Sequence, residues 1–227
     1  MIKNKIVVYT AIIGGYDKLN EPKFISEGCD YICFTDNENL KSDIWKVIKI
    51  NSTSCNNIRT ARKYKILPHK YLSEYEYSIW VDGSMNIIGD ISDLVKNKMG
   101  HSNMIYFKHP WRNCIYDEVK ACIKLNKDNP EVIKNQIRRY QIDGFKRKQG
   151  LIASGIIVRK HNEKEVIDLM EAWWKEVSQF SIRDQLSFNY VAWKKKSKYK
   201  LINKYINNNE YIKNNKHLKT YEKNKSK

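Results

Sequence analysis

Apolar and polar positions fall into blocks along the chain, and the block lengths predict alternating strands and helices. Ile6-Val-Val-Tyr-Thr-Ala-Ile-Ile13 is an unbroken, β-branched apolar run, the pattern of a strand buried on both faces. Residues 30–36 predict a second strand that closes on Asp36, and residues 45–50 a third. From Asn57 to Leu72 the spacing becomes helical, with Pro68 as a break. Residues 77–82 read as a strand ending in Asp82, followed by a short helix near 91–99 with Asp90 as its cap. A strand at 104–109 and helices at 115–126 and 131–143 come next, the last begun by Pro130. Strand character resumes at 151–158, and helices are expected at 162–177, where Trp173 and Trp174 suit a core face, and at 183–193. Strands alternating with helices predict an α/β fold: one Rossmann-like domain over residues 1–193, with a mixed, mostly parallel sheet flanked by helices.

Beyond residue 193 the chain turns Lys- and Asn-rich, and this changes how the charge is read. The net charge of +17 suggests nucleic acid until it is located. Twelve lysines against two glutamates put +10 of it in residues 194–227 and leave +7 for residues 1–193. A basic tail of this kind is a solvated segment or a tether to an anionic membrane surface, and the +7 of the rest argues against a nucleic-acid module. No apolar run reaches the ~20 residues that span a bilayer, and the N-terminal run lacks a cleavage site, so a cytoplasmic protein is expected, peripheral to the membrane if the tail tethers it. The five cysteines (Cys29, Cys33, Cys55, Cys114, Cys122) form no CxxC pair and suggest neither a disulfide framework nor a zinc site.

Candidate chemistry sits at the strand ends. Thr10 to Tyr16, Thr35-Asp36, Asp82-Gly83-Ser84 and His109 all follow strands, and a parallel sheet brings such ends to one crevice. Each alone is also an ordinary turn. Gly14-Gly15 allows close backbone approach but is neither a dinucleotide fingerprint nor a P-loop. Arg59, Arg62 and Lys63 lie on one helix after the third strand, and Arg59 and Lys63, at i and i+4, share a face that is either a solvated basic face or a site for a diphosphate. His109-Pro-Trp111-Arg112 joins a titratable ring, an aromatic plate and a cation, suited to sugar or acceptor contact or to a structural corner.

Val8-Tyr-Thr-Ala-Ile12, Phe34-Thr-Asp36, Arg59 with Lys63, and Trp80-Val-Asp-Gly-Ser84 together resemble a glycosyltransferase-like family of bacterial surface-polysaccharide and plant Golgi cell-wall proteins. More distantly, the layout is similar to retaining GT-A enzymes of the glycogenin and lipopolysaccharide galactosyltransferase kind. In those, a strand ends in Asp-x-Asp, which binds a divalent metal and the sugar-nucleotide diphosphate. Asp82 matches the first Asp, and Ser84 stands at the second. Ala153-Ser154-Gly155 resembles their Asn-Ser-Gly strand beside the donor sugar. Arg183-Asp-Gln185 resembles the helix start that sets a side chain next to the anomeric carbon, and His217, with the 194–227 tail partly folded back on the site, would complete a metal site.

The resemblance implies a hexosyltransferase of capsule or lipopolysaccharide assembly, taking a UDP-sugar or other nucleotide-sugar and a glycan or lipid-linked acceptor. It implies Asp184 and Gln185 as catalytic residues. Thr10, Tyr16, Asp36, Arg59, Lys63, Asp82, Ser84 and Ser154 would face the donor, and His109, Trp111, Arg112 and Arg183 the acceptor or sugar. Mn²⁺ or Mg²⁺ would sit on Asp82 and His217. Asp184 also reads as a simple helix cap, and a binding protein on the same fold is the alternative to an enzyme.

Overall fold

The computed structural model describes residues 5–51, 56–207 and 209–215. The first apolar run forms β1 (Ile6–Ile12), buried along its whole length. On one side it pairs in parallel with β2 (Cys29–Thr35), which pairs in parallel with β3 (Lys46–Lys49). On the other side lies β4 (Tyr77–Val81), also parallel. The chain then gives β5 (Met85–Ile87), β6 (Met104–Lys108), β7 (Ile152–Arg159), β8 (Lys200–Ile202) and β9 (Ile212–Asn214). The main sheet has seven strands in the order β3-β2-β1-β4-β7-β6-β8, and only β7 runs against its neighbours β4 and β6. This is a Rossmann-like, mostly parallel sheet, as the strand–helix alternation predicts.

The helices are α1 (Asn57–Ile66), α2 (Ile115–Lys124), α3 (Pro130–Ile142), α4 (Lys164–Gln179) and α5 (Gln185–Lys195). Side chains on successive strand residues point to opposite faces, and the sheet divides its core accordingly. Val7, Tyr9, Trp80, Tyr106 and Ile157 pack toward the helices with Leu169, Trp173 and Phe188. Ile6, Val8, Ile79, Ile105 and Val158 pack on the other face with Ile91, Leu94, Tyr211 and Ile212. Trp173 is fully buried and Trp174 packs against the same core.

Four elements differ from the sequence expectation, among them the unforeseen short strand β5. The helix expected near 91–99 is a single wide turn, Leu94–Lys98, and Asp90 caps the preceding bend through Ser92 N–H at 3.0 Å. The Lys/Asn-rich stretch expected as a tail supplies β8 at the sheet edge and β9, which pairs with β5 in a two-stranded ribbon. Strands of three residues are too short to show a period, which hides them from pattern reading. His217 lies outside the described residues. Among the described residues no helix is long and apolar enough to cross a membrane.

Candidate active site

Strand order fixes where a ligand would sit. The chain goes from β1 to β2 and β3 on one side, and β4 lies on the other, so the C-terminal edge between β1 and β4 is a topological switch point. The antiparallel β7 brings its N-terminal end to that same edge. A cleft of about 1170 Å³ opens there. Its walls carry Gly14, Tyr16 and Asp17 after β1, Asp82 to Met85 after β4, and His109 to Arg112 after β6. Ala153 to Gly155 from β7 and Arg183 to Gln185 at the head of α5 complete that side. Ile206, Asn207 and Asn214 close it from the C-terminal ribbon.

Arg62, Asp82 and Asp184 line its floor, and Lys65 is buried against them. Lys65, fully buried, places Nζ 2.6 Å from Asp184 Oδ2 and 3.2 Å from Asp82 Oδ1, and donates to Ser154 Oγ at 3.2 Å. Arg62 lies one turn earlier, 3.6 Å from Asp184 and 3.9 Å from Asp82, and lines the cleft. Ser154 Oγ donates to Asp184 at 3.0 Å, and Trp80 Nε1 donates to Asp82 at 2.7 Å. Burial alone would raise both carboxyls, but Arg62 and Lys65 outweigh it, so both sit below the ordinary carboxylate value, Asp184 far below. Burial pulls Lys65 below the ordinary lysine value, while Asp184 and Asp82 pull it back.

The quartet is held from behind. Tyr9 OH donates to Lys65 O at 2.8 Å, and the buried Arg159 on β7 donates to Lys65 O at 2.8 Å and approaches Ile66 O. A cation on these last carbonyls opposes the negative end of the helix dipole and pins the C-terminus of α1 to the sheet.

Neither Arg59 nor Lys63, the pair expected from sequence, lines the cleft. Arg59 turns away and donates to Phe180 O at 2.9 Å, and Lys63 is exposed. The inward stripe is Ile58, Ala61, Arg62 and Lys65, at spacings of three and four. Ile58 and Ala61 were the signal: the apolar positions mark the buried face, and Arg62 and Lys65 fall on it.

The remaining expectations divide. Tyr16, Ser84, His109, Trp111, Arg112, Ser154, Arg183, Asp184 and Gln185 line the cleft with Asp82. Thr10 is buried within β1, not on the wall. Asp36 stands behind the wall, where both carboxylate oxygens accept the Gly14 N–H at 3.0 Å. It thereby holds the Gly14-Gly15 loop, where both residues have positive φ (63° and 60°). A Cβ on Gly14 would fall 2.0 Å from Asn57 Nδ2, so this loop and the first turn of α1 require glycine.

Asp184 is indeed the cap of α5, accepting from Gln185 N–H at 3.1 Å, and is also the anion nearest Lys65. Gln185 donates to Ile152 O at 3.2 Å. His109 Nδ1 accepts from Arg112 N–H at 3.1 Å, and Nε2 faces Glu118 at 3.6 Å; burial holds this ring below the ordinary histidine value. Trp111 is 71% exposed at the cleft mouth.

The expected Mn²⁺ or Mg²⁺ meets a poor donor set. Hard divalent ions want several carboxylate oxygens, whereas Asp82 already faces two cations and Ser84 Oγ donates to Asn214 Oδ1 at 3.1 Å. Among the described residues no group of three His, Cys, Asp or Glu side chains could hold a metal ion. The described residues by themselves do not fit the ion, and His217 lies outside them.

Fold and cleft define a Rossmann-like α/β domain with a charged crevice at its switch point. The chain belongs to the TOD1/MUCI70 family, glycosyltransferase-like domain, whose model matches residues 1–218. It is 25% identical over 215 residues to a probable hexosyltransferase, MUCI70, of Arabidopsis thaliana, covering 82% of this chain and 37% of the relative. It is 24% identical over 228 residues to an Arabidopsis protein named alkaline ceramidase TOD1, covering 84% of this chain and 49% of the relative. The chain thus spans half or less of the length of these two relatives.

Proposed function

We propose that the protein is a hexosyltransferase that binds a nucleotide-sugar in the cleft and passes the sugar to a glycan or lipid-linked acceptor, in surface-polysaccharide assembly. The observation that carries this reading is the quartet of Arg62, Lys65, Asp82 and Asp184 at the switch point, in a chain of a glycosyltransferase-like family. A GT-A arrangement fits the sheet order. The diphosphate lies against the Gly14-Gly15 loop and the first turn of α1, where the positive end of the helix dipole favours an anion, with Arg62 one turn further in.

Glycosyl transfer passes through an oxocarbenium-like transition state. Asp184, held anionic, is a weak base but a fixed negative charge that stabilises the sugar's developing positive charge. Gln185 and Ser154 order it from either side. Trp111 offers an exposed ring face for a sugar to cover, with Arg112 beside it. His109, mostly neutral at pH 7, keeps the loop's backbone in place.

The name of the second relative supplies a rival reading, ceramide hydrolysis. Two long hydrocarbon chains call for a continuous apolar channel, whereas Asn56, Asn57, Asp128, Asn129, Asn207 and Asn214 interrupt these walls with polar groups. One experiment separates the two: the purified chain is incubated with a panel of nucleotide-sugars and, separately, with a fluorescent ceramide. Release of nucleoside diphosphate from one donor, with ceramide intact, supports transfer; ceramide cleavage with every donor intact refutes it.

A further inference from the structure

We propose that the cleft holds the donor diphosphate without a divalent cation, because Arg62 supplies the positive charge and Lys65 keeps Asp82 from recruiting a metal. This rests on the nucleotide-sugar reading above and specifies its chemistry. At a two-carboxylate metal site, both acids face the ion and nearby cations are kept away. Here the geometry is reversed. The single strand-end carboxylate, Asp82, has Lys65 Nζ 3.2 Å away and Arg62 at 3.9 Å. An ion bound to Asp82 would be repelled by both, at distances where charges on a partly buried site are only weakly screened. Lys65 has no room to withdraw: it is fully buried, and Asp184 holds it at 2.6 Å.

The position where a second acid would stand is equally committed. Ser84 is 6% exposed, its hydroxyl donates to Asn214, and its carbonyl accepts from Asn215 N–H at 2.8 Å. Arg62, in contrast, has its side chain 15% exposed toward the cleft, beside the head of α1. A guanidinium there offers a planar, paired donor to phosphate oxygens and stays charged at any working pH. Lys65 cannot reach out; it holds Asp184 and Asp82 at closer range than Arg62 does, and Arg62, paired more distantly with the same carboxylates, is a cation on the cleft wall.

The test is calorimetry on the full chain after passage over a chelating resin. UDP, GDP, ADP and CDP are titrated in EDTA and again in Mn²⁺. The expected result is one nucleoside diphosphate binding with the same affinity in both buffers, and about tenfold weaker binding to Arg62→Ala in both. Binding that collapses in EDTA and returns with Mn²⁺ overturns this inference and leaves the donor reading standing. Absence of binding by all four in both buffers overturns both. Equal binding that Arg62→Ala leaves unchanged overturns the assignment to Arg62. Paramagnetic resonance of Mn²⁺ with the unsubstituted protein needs no variant: the free-ion signal stays undiminished if the inference holds, and is quenched stoichiometrically if Asp82 binds the ion.

Discussion

Lys65→Met probes the floor of the cleft most sharply. Methionine keeps the apolar stem and deletes an ammonium that lies 2.6 Å from Asp184 and 3.2 Å from Asp82, in a side chain with no solvent exposure. Arg62 remains, at 3.6 and 3.9 Å, so the buried Asp184 and the partly exposed Asp82 share one more distant cation. Removing one partner of a buried charge network costs about 3–5 kcal/mol. For a domain of this size that is a fall in Tm of about 6–20 °C.

The sign of the pH dependence follows from Asp184. Its folded pKa lies below the unfolded value near 3.8, so its stabilising contribution is complete above that value and is lost as pH falls through the folded pKa. In the variant this depression weakens, and the gap between wild type and variant narrows below about pH 4. Urea denaturation followed by circular dichroism at pH 7 and at about pH 2.5 measures both effects. Adding Asp184→Asn restores charge balance, and the double variant recovers about 1–3 kcal/mol relative to additivity. A Lys65→Met cost under about 1 kcal/mol, the level of a surface pair, with simple additivity, refutes the reasoning.

Three further outcomes are expected. Gly14→Ala forces a Cβ at φ 63° toward Asn57, so it costs about 1–2 kcal/mol from the backbone alone and weakens donor binding; unchanged stability and KM contradict the required close approach. His161, 1% exposed and bonded to Leu72 O at 2.8 Å, is depressed by burial to about 4. Acidification from about pH 6.5 to 4 therefore removes about 3 kcal/mol through this ring, and NMR titration of His161 reads it directly. Trp111→Ala leaves Tm within about 1 °C because the ring is exposed, yet raises acceptor KM several-fold; a change in Tm without a change in KM assigns the ring to folding.

The fold was legible where burial imposes a period. The β1, β2, β4 and β7 runs are apolar because both faces are covered, and no competing pattern fits them. The site was legible at strand ends, since topology aligns Gly14, Asp82 and His109 whatever the intervening sequence. Two kinds of feature escaped. Short strands β5, β8 and β9 take their conformation from their partners, and their residues alone do not specify it. The Arg62–Lys65 face was missed because a buried lysine looks like a solvated one in sequence. Only its spacing from Ile58 and Ala61, and the carboxylates Asp82 and Asp184 that meet it from β4 and α5, identify it.

The central claim is that Asp184 is a fixed anion beneath the transferred sugar. The measurement that tests it most directly is single-turnover transfer by wild type and Asp184→Asn with whichever nucleotide-sugar the protein consumes, after melting curves show both to be folded. The account predicts a rate of the chemical step lowered by about 10²–10³ with little change in donor affinity, since the carboxylate acts on charge that develops only in the transition state. An Asp184→Asn protein that transfers sugar at the wild-type rate would contradict it.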